Sequence, residues 1–175
     1  GFTLPESKSD PSWLDQDRLY VGVAFDSSTM TTSGYPRVIK EWRRGTPLSA
    51  APTVYEGPVA DVGVGAYRDH TPGFERDFVS RAITFYTNEL YLRRDGKLVK
   101  IDKPDDAEAS PWREWLLIQL RAAWTVGGKT FAAGSLLAAR FDDFVAGKRE
   151  LQPLFTPTSR SSLSGFSTTR ASLLL

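Results

Sequence analysis

Short runs in which apolar and polar positions alternate recur along the chain, each closed by Gly, Pro or Asp. Residues 37–43 are the clearest case: Val38, Lys40 and Trp42 alternate with Arg37, Ile39, Glu41 and Arg43. Period two with β-branched and aromatic content predicts a strand, and Gly45-Thr46-Pro47 stops it. A short strand at 53–56 follows. Residues 19–25 are apolar on both faces and predict a strand buried between layers. Residues 59–67 mix apolar with small side chains, as a closely packed inner strand would, and 68–73 read as a turn. A strand is predicted over 78–86. Beyond it, 90–93 and 97–101 flank Asp95-Gly96, the strongest hairpin signal in the chain. Further strands are predicted at 115–121 and 136–141. Asp142 is expected to cap one helical turn that Gly147 ends. Residues 151–155 read as an edge strand, because Pro153 cannot donate to a ladder. The pattern restarts at 163–168 and closes on Leu173-Leu174-Leu175.

These strands form a repeat. Buried strands begin near Leu19, Phe78, Trp115 and Leu173, second strands near Arg37, Glu89 and Ser135, and closing strands near Thr53, Lys97 and Leu151. The spacing of roughly 50 residues suits four-stranded propeller blades. No long 3.6-residue pattern occurs, which argues against an α/β fold. The expected fold is therefore all-β: a partial β-propeller of about three consecutive four-stranded antiparallel blades. The expected units are 13–58, 59–104 and 105–156, with the start of a further blade at 163–175. Closed propellers have about four to eight blades, so the chain reads as a fragment. Its cut faces and unpaired edges predict self-association.

Composition narrows the function. With 175 residues, 41% hydrophobic and 25% charged, the chain can bury a sizeable core. A formal net charge of +1 and the lack of a basic run give no reason to expect a nucleic-acid partner. No apolar run is long enough to predict a membrane span, and residues 1–5 do not resemble a signal peptide. The chain has no cysteine, which excludes disulfides and thiolate metal sites but leaves the compartment open.

A family resemblance rests on several stretches. These are Gly34-Tyr35-Pro36-Arg37-Val38-Ile39-Lys40-Glu41-Trp42-Arg43-Arg44-Gly45-Thr46-Pro47-Leu48, Asp69-His70-Thr71-Pro72-Gly73-Phe74-Glu75-Arg76-Asp77-Phe78 and Arg113-Glu114-Trp115-Leu116-Leu117-Ile118. Trp124-Thr125-Val126-Gly127-Gly128-Lys129-Thr130 and Ala133-Gly134-Ser135-Leu136-Leu137 complete the set. In this order the stretches resemble the N-terminal propeller portion of prolyl oligopeptidase family serine peptidases, over nearly the whole chain. The resemblance implies a propeller that caps an α/β-hydrolase domain and admits short peptides to it. That hydrolase domain and the remaining blades are the implied partners. None of the family's catalytic positions maps here. The competing class is a stand-alone propeller-like module that binds a protein or a carbohydrate.

The candidate chemistry is thin. Gly-x-Ser-x-Gly is absent, and the nearest approach, around Ser167, lacks the second glycine. His70, the single histidine, sits beside Asp69 in a predicted turn with no serine indicated as its partner. One histidine and no cysteine give no zinc spacing. Carboxylates cluster at Asp105, Asp106 and Glu108, at Asp142 and Asp143, and at Asp15 and Asp17. Paired carboxylates suit a glycosidase or a calcium site, but turn positions favour plain solvation. Trp13, Trp42, Trp112 and Trp115 fit blade-to-blade packing better than sugar stacking. Trp124 is the expected exposed tryptophan. Arg43, Arg44, Arg76, Arg81, Arg93 and Arg94 read as solvated. No catalytic residue, cofactor or metal ligand is assigned, and the substrate-binding residues are left open.

Overall fold

In the first hundred residues the inner strands bury side chains on both faces. The computed structural model describes residues 1–175, which divide into two units, 1–100 and 101–175. In the first unit, β1 (Ser12–Trp13), β2 (Arg18–Val23), β3 (Val38–Arg43) and β4 (Thr53–Glu56) form one antiparallel sheet in sequence order. A second antiparallel meander follows from β5 (Gly63–Asp69), β6 (Arg76–Ala82), β7 (Asn88–Arg94) and β8 (Lys97–Lys100).

Strand β2 shows why its run is apolar throughout. Tyr20 joins Leu14 and Ile39 against Val64, Ala66 and Val79 of the second sheet. Leu19, Val21 and Val23 point the other way and pack with Val38, Trp42 and Ala51 beneath Phe2 and Leu4. Each such side chain, once buried, contributes about 1.5–3 kcal/mol. Gly22 is required by close approach: a Cβ there would lie 2.9 Å from Pro36 Cβ. The two sheets thus share one core, as neighbouring blades do.

The second unit builds a third meander from β9 (Glu108–Trp112), β10 (Trp115–Gln119), β13 (Leu136–Arg140) and β14 (Gln152–Phe155). A hairpin, β11 (Trp124–Val126) with β12 (Lys129–Phe131), is inserted between β10 and β13. The helical turn α1 (Phe141–Val145) follows β13. A two-stranded piece, β15 (Ser167–Thr168) with β16 (Leu173–Leu174), ends the chain. Its Leu173, together with Leu163 and Phe166, packs against Leu117, Leu136 and Ala138 of the third sheet. The edge position of β14, which contains Pro153, agrees with the sequence.

Four boundaries differ from the sequence reading. Residues 59–62 turn rather than extend: Asp61 N–H donates to Pro58 O at 3.3 Å, and β5 starts at Gly63. Arg68 and Asp69 are still extended, paired with Asp77 and Arg76. Strand β6 stops at Ala82 because Ile83 N–H closes on Thr87 O at 3.0 Å. Asp142 does not cap α1: the N-cap is Arg140, because Phe141 starts the helix and buries with Phe144, three residues on. Asp142 instead lies in the first turn, and Gly147, at φ 94°, follows the helix.

The Asp95-Gly96 turn is as short as the sequence suggests, with φ 52° and 73° and Arg94 paired to Lys97. Both central residues are left-handed, as a type I′ turn requires. Gly96→Val should destabilise the chain by about 1 kcal/mol or more. Urea unfolding of the two forms measures it, and equal midpoints would refute the role of the turn.

Candidate functional site

The polar groups gather in two ionic clusters and one cleft. In the first unit, Asp61 comes from the loop joining the two sheets, Arg81 from β6 and Glu89 from β7, where Arg81 and Glu89 are cross-strand partners. Arg81 grips Asp61 with two donors, Nε to Oδ2 at 2.6 Å and Nη2 to Oδ1 at 3.0 Å. Its Nη1 donates to Glu89 Oε2 at 2.9 Å. Glu89 also accepts from Tyr91 Oη, at 2.6 Å, and from Lys100 Nζ. Burial alone would raise the Glu89 pKa. The donors from Lys100, Tyr91 and Arg81 outweigh it and bring the carboxyl down to about 2. For Tyr91 the two effects add: burial and the bond to Glu89 both push its hydroxyl up.

A second cluster ties the two sheets together. Arg93 Nη1 donates to Glu41 Oε2 at 2.7 Å and to Tyr20 Oη at 2.8 Å. Arg18 adds a bond to the other Glu41 oxygen at 2.9 Å. Arg81 and Arg93 are therefore part-buried and paired, not solvated as the sequence suggested. They sit where strands face a neighbouring sheet, so their charges must be matched within the fold.

The cleft lies in the second unit beside α1 and has a volume of about 470 Å³. Trp115, Ala138 and Phe144 line it, and Arg140, Arg149 and Lys129 stand at its sides. Arg140 lies over the Trp115 ring at 4.1 Å, and Arg149 over Phe144 at 4.4 Å. Arg149 is anchored by Asp102 at 2.6 Å. Stacked guanidinium groups over aromatic rings can hold a carboxylate or a planar group. They supply no nucleophile.

The other sequence candidates scatter. His70 is exposed, and its Nε2 lies 2.8 Å from the Trp13 carbonyl rather than against a serine. Asp69 accepts from the Thr71 hydroxyl and amide. Ser167 is exposed in β15. Asp15 pairs with Arg18, Asp17 with Arg44, Glu108 with Arg121 and Asp143 with Lys148. No three His, Asp or Glu side chains gather in a way that could hold a metal ion. Trp42 is buried and donates to Thr46 O at 2.8 Å, and Trp112 donates to Thr169 O at 3.1 Å. The exposed tryptophan is Trp13, at 52%, rather than Trp124, which is half-buried and pairs with Phe131 across its hairpin. Sequence reasoning passed over the Asp61–Arg81–Glu89 cluster. The signal was there: Arg81 and Glu89 interrupt strands whose neighbours Val79 and Leu90 are apolar.

Three antiparallel meanders, each running in sequence order, define a β-propeller segment. No family model matches the sequence. The chain is 29% identical over 185 residues to an uncharacterized peptidase of Sinorhizobium fredii, covering 100% of this chain and 26% of that protein. An uncharacterized peptidase of Rickettsia prowazekii is 27% identical over 175 residues, covering 94% of this chain and 24% of that one. Among solved structures, a post-proline cleaving enzyme from Rickettsia typhi superposes with a TM-score of 0.82 at 29% identity, over 92% of this chain and 25% of that one. A prolyl endopeptidase structure shares the fold at 14% identity, with a TM-score of 0.68 over 95% of this chain and 24% of the other. The chain is thus similar in sequence and fold to part of a post-proline cleaving enzyme, and in sequence to part of two uncharacterized peptidases. It spans about a quarter of the length of the curated relatives it matches.

Proposed function

We propose that this chain is the substrate-gating propeller portion of a prolyl oligopeptidase-like serine peptidase that hydrolyses short peptides, and that the portion itself performs no catalytic step. The observation that carries the reading is the superposition with a post-proline cleaving enzyme over 92% of the chain at a TM-score of 0.82. In this reading residues 13–58, 59–104 and 105–156 are successive blades, and 163–175 begin another. The α/β-hydrolase domain and the remaining blades are the partners, and short peptides are the substrates. The first two sheets, held by one shared core and by the Arg93 cluster, make a stiff piece of wall, which suits a filter that passes extended peptides and rejects folded proteins. Taken alone, the portion has unpaired edges that favour association between copies.

The test has two arms. The 175-residue chain, incubated with proline-containing and generic chromogenic peptides, should give no turnover above buffer. The longer protein should cleave the proline-containing peptides and leave a folded protein substrate intact. Turnover by the chain alone that disappears in His70→Ala would overturn the non-catalytic assignment. A longer protein lacking a Ser–His–Asp set would overturn the peptidase reading.

A further inference from the structure

The two arginines of the cleft beside α1 do different work. Arg149 is spent on the fold. Its Nη1 donates to Phe144 O at 3.0 Å and to Lys148 O at 2.9 Å, and its Nη2 to Asp102 Oδ2 at 2.6 Å. It lies over the Phe144 ring at 4.4 Å and so stiffens one wall. Arg140 is spent much less. It ends β13, is paired in register with Trp115, and lies over that ring at 4.1 Å. Indole therefore covers one face of its guanidinium. Its carboxylate partner, Glu114, stands 3.4 Å away, against 2.6 to 2.9 Å in the ion pairs of Arg81 and Arg93. The Arg140 side chain is 55% exposed, which leaves its second face open.

The remaining charges of the cleft divide in the same way. Lys148 Nζ donates to Asp143 Oδ1 at 2.8 Å, and Glu150 adds a weaker attraction to the same ammonium. These three form a closed set at the rim. Lys129, the first residue of β12, is exposed and has no carboxylate partner. The hairpin tip before it is fixed in place. Gly127 and Gly128 take φ 58° and 74°, and a Cβ on Gly127 would stand 3.2 Å from Arg149 O. Arg140 and Lys129 are thus the cations of the cleft whose charge the chain leaves largely unmatched. The floor is apolar: Ala138 contributes only a methyl group, and Phe144 and Leu151 are buried beside it.

We propose that this cleft binds a small carboxylate with a flat apolar body, an aryl carboxylate in chemical class. The body stacks on the open face of Arg140, which Trp115 backs from the other side, and the carboxylate pairs with Lys129. A guanidinium is flat and weakly hydrated, so it can be sandwiched between two aromatic planes. The cleft volume of about 470 Å³ lies within the range of small-molecule sites, roughly 300–1,000 Å³. A polyanion such as a nucleotide is disfavoured. Asp143 and Glu150 stand at the same rim, and one free ammonium balances one negative charge. The site belongs to the second unit alone and holds whether or not the chain is part of a peptidase.

The probe is naphthoate, titrated calorimetrically into the 175-residue chain and into the longer protein. Saturable binding is expected in both. Naphthamide, the same body without the charge, should bind at least about tenfold more weakly. Lys129→Gln should weaken naphthoate by about the same factor, and Lys129→Arg should restore it. Lys129 is exposed on a hairpin outside the main sheet, so these variants keep the fold. Arg140→Lys keeps the charge but loses the plane, and should weaken binding at least about fivefold. Ala138→Leu should fill the floor and abolish binding. Equal binding of naphthoate and naphthamide overturns the inference, because apolar contact alone then explains it. So does displacement by an equal concentration of inorganic phosphate, which makes the cleft a general anion site. Binding by the 175-residue chain that the longer protein lacks also overturns it, since other residues then fill the cleft. Absence of binding in both sinks it outright. None of these results bears on peptide turnover, so this inference and the peptidase reading fail separately.

Discussion

Arg81→Ala is expected to lower the unfolding free energy of the chain by about 3–5 kcal/mol. The reason is what it leaves behind. Asp61 has a side chain only 4% exposed, and Arg81 supplies both of its charge-assisted bonds, at 2.6 and 3.0 Å. Glu89 loses a third donor but keeps Lys100 and Tyr91. The cost therefore falls mainly on Asp61, a carboxylate stranded in the loop between two blades. Arg81→Met keeps the packing of the long stem and should still lose most of this stability. Adding Asp61→Asn to Arg81→Met should return part of the loss, because the stranded charge is gone. Urea denaturation of the three variants gives the comparison. If Arg81→Met were as stable as the parent, the cluster would be ornamental and the loop would be held by backbone bonds alone.

Acid should weaken the same region, by about 2 kcal/mol between pH 4.5 and pH 2. Glu89 in the folded chain titrates at about 2, below the ordinary glutamate value. The folded form thus holds its proton more weakly than the unfolded form. Its contribution is fully present above the unfolded value, near pH 4.3, and is lost as the pH falls through the folded one. The measurement is the stability difference between the parent chain and Glu89→Gln, taken from urea melts at several pH values. That difference should be flat from pH 7 to about pH 5 and shrink below. A difference independent of pH would mean that Glu89 gains nothing from Lys100, Tyr91 and Arg81.

The strands were legible in the sequence because their period was unbroken. Val38 to Trp42, Thr53 to Glu56 and the Asp95-Gly96 hairpin fall where the alternation puts them. The all-β class and the reading as four-stranded blades followed from their spacing, whereas the family resemblance rested on the motifs themselves. Residues 59–62 were misread because Val59, Ala60 and Val62 look like a strand locally. The need to bring Asp61 to Arg81 is a tertiary fact with no local trace. The inserted hairpin escaped notice because its strands are three residues long and largely polar. The polar clusters were hidden for a related reason. A charged residue in a strand reads as solvent-facing until a second sheet is known to pack against it, and Arg81 and Arg93 both meet such a neighbour. The cleft beside α1 needs Trp115, Arg140 and Phe144 from three different elements, which no spacing rule brings together.

The hairpin inserted in the third sheet has a closed base. Leu120 N–H donates to Ser135 O and Gly134 N–H to Leu120 O, both at 2.9 Å, so the register of β10 and β13 is set before the hairpin begins. Residues 121–133 are in effect a replaceable cassette on a finished framework. Its tip approaches the Arg149 backbone, where a Cβ on Gly127 would stand 3.2 Å from the carbonyl oxygen. Gly127 and Lys129 also line the cleft. Lengthening, trimming or exchanging the cassette would reshape one wall of that cleft while the sheet beneath it keeps its pairing. A related chain could change what the cleft accepts by altering these residues alone, without disturbing the blade.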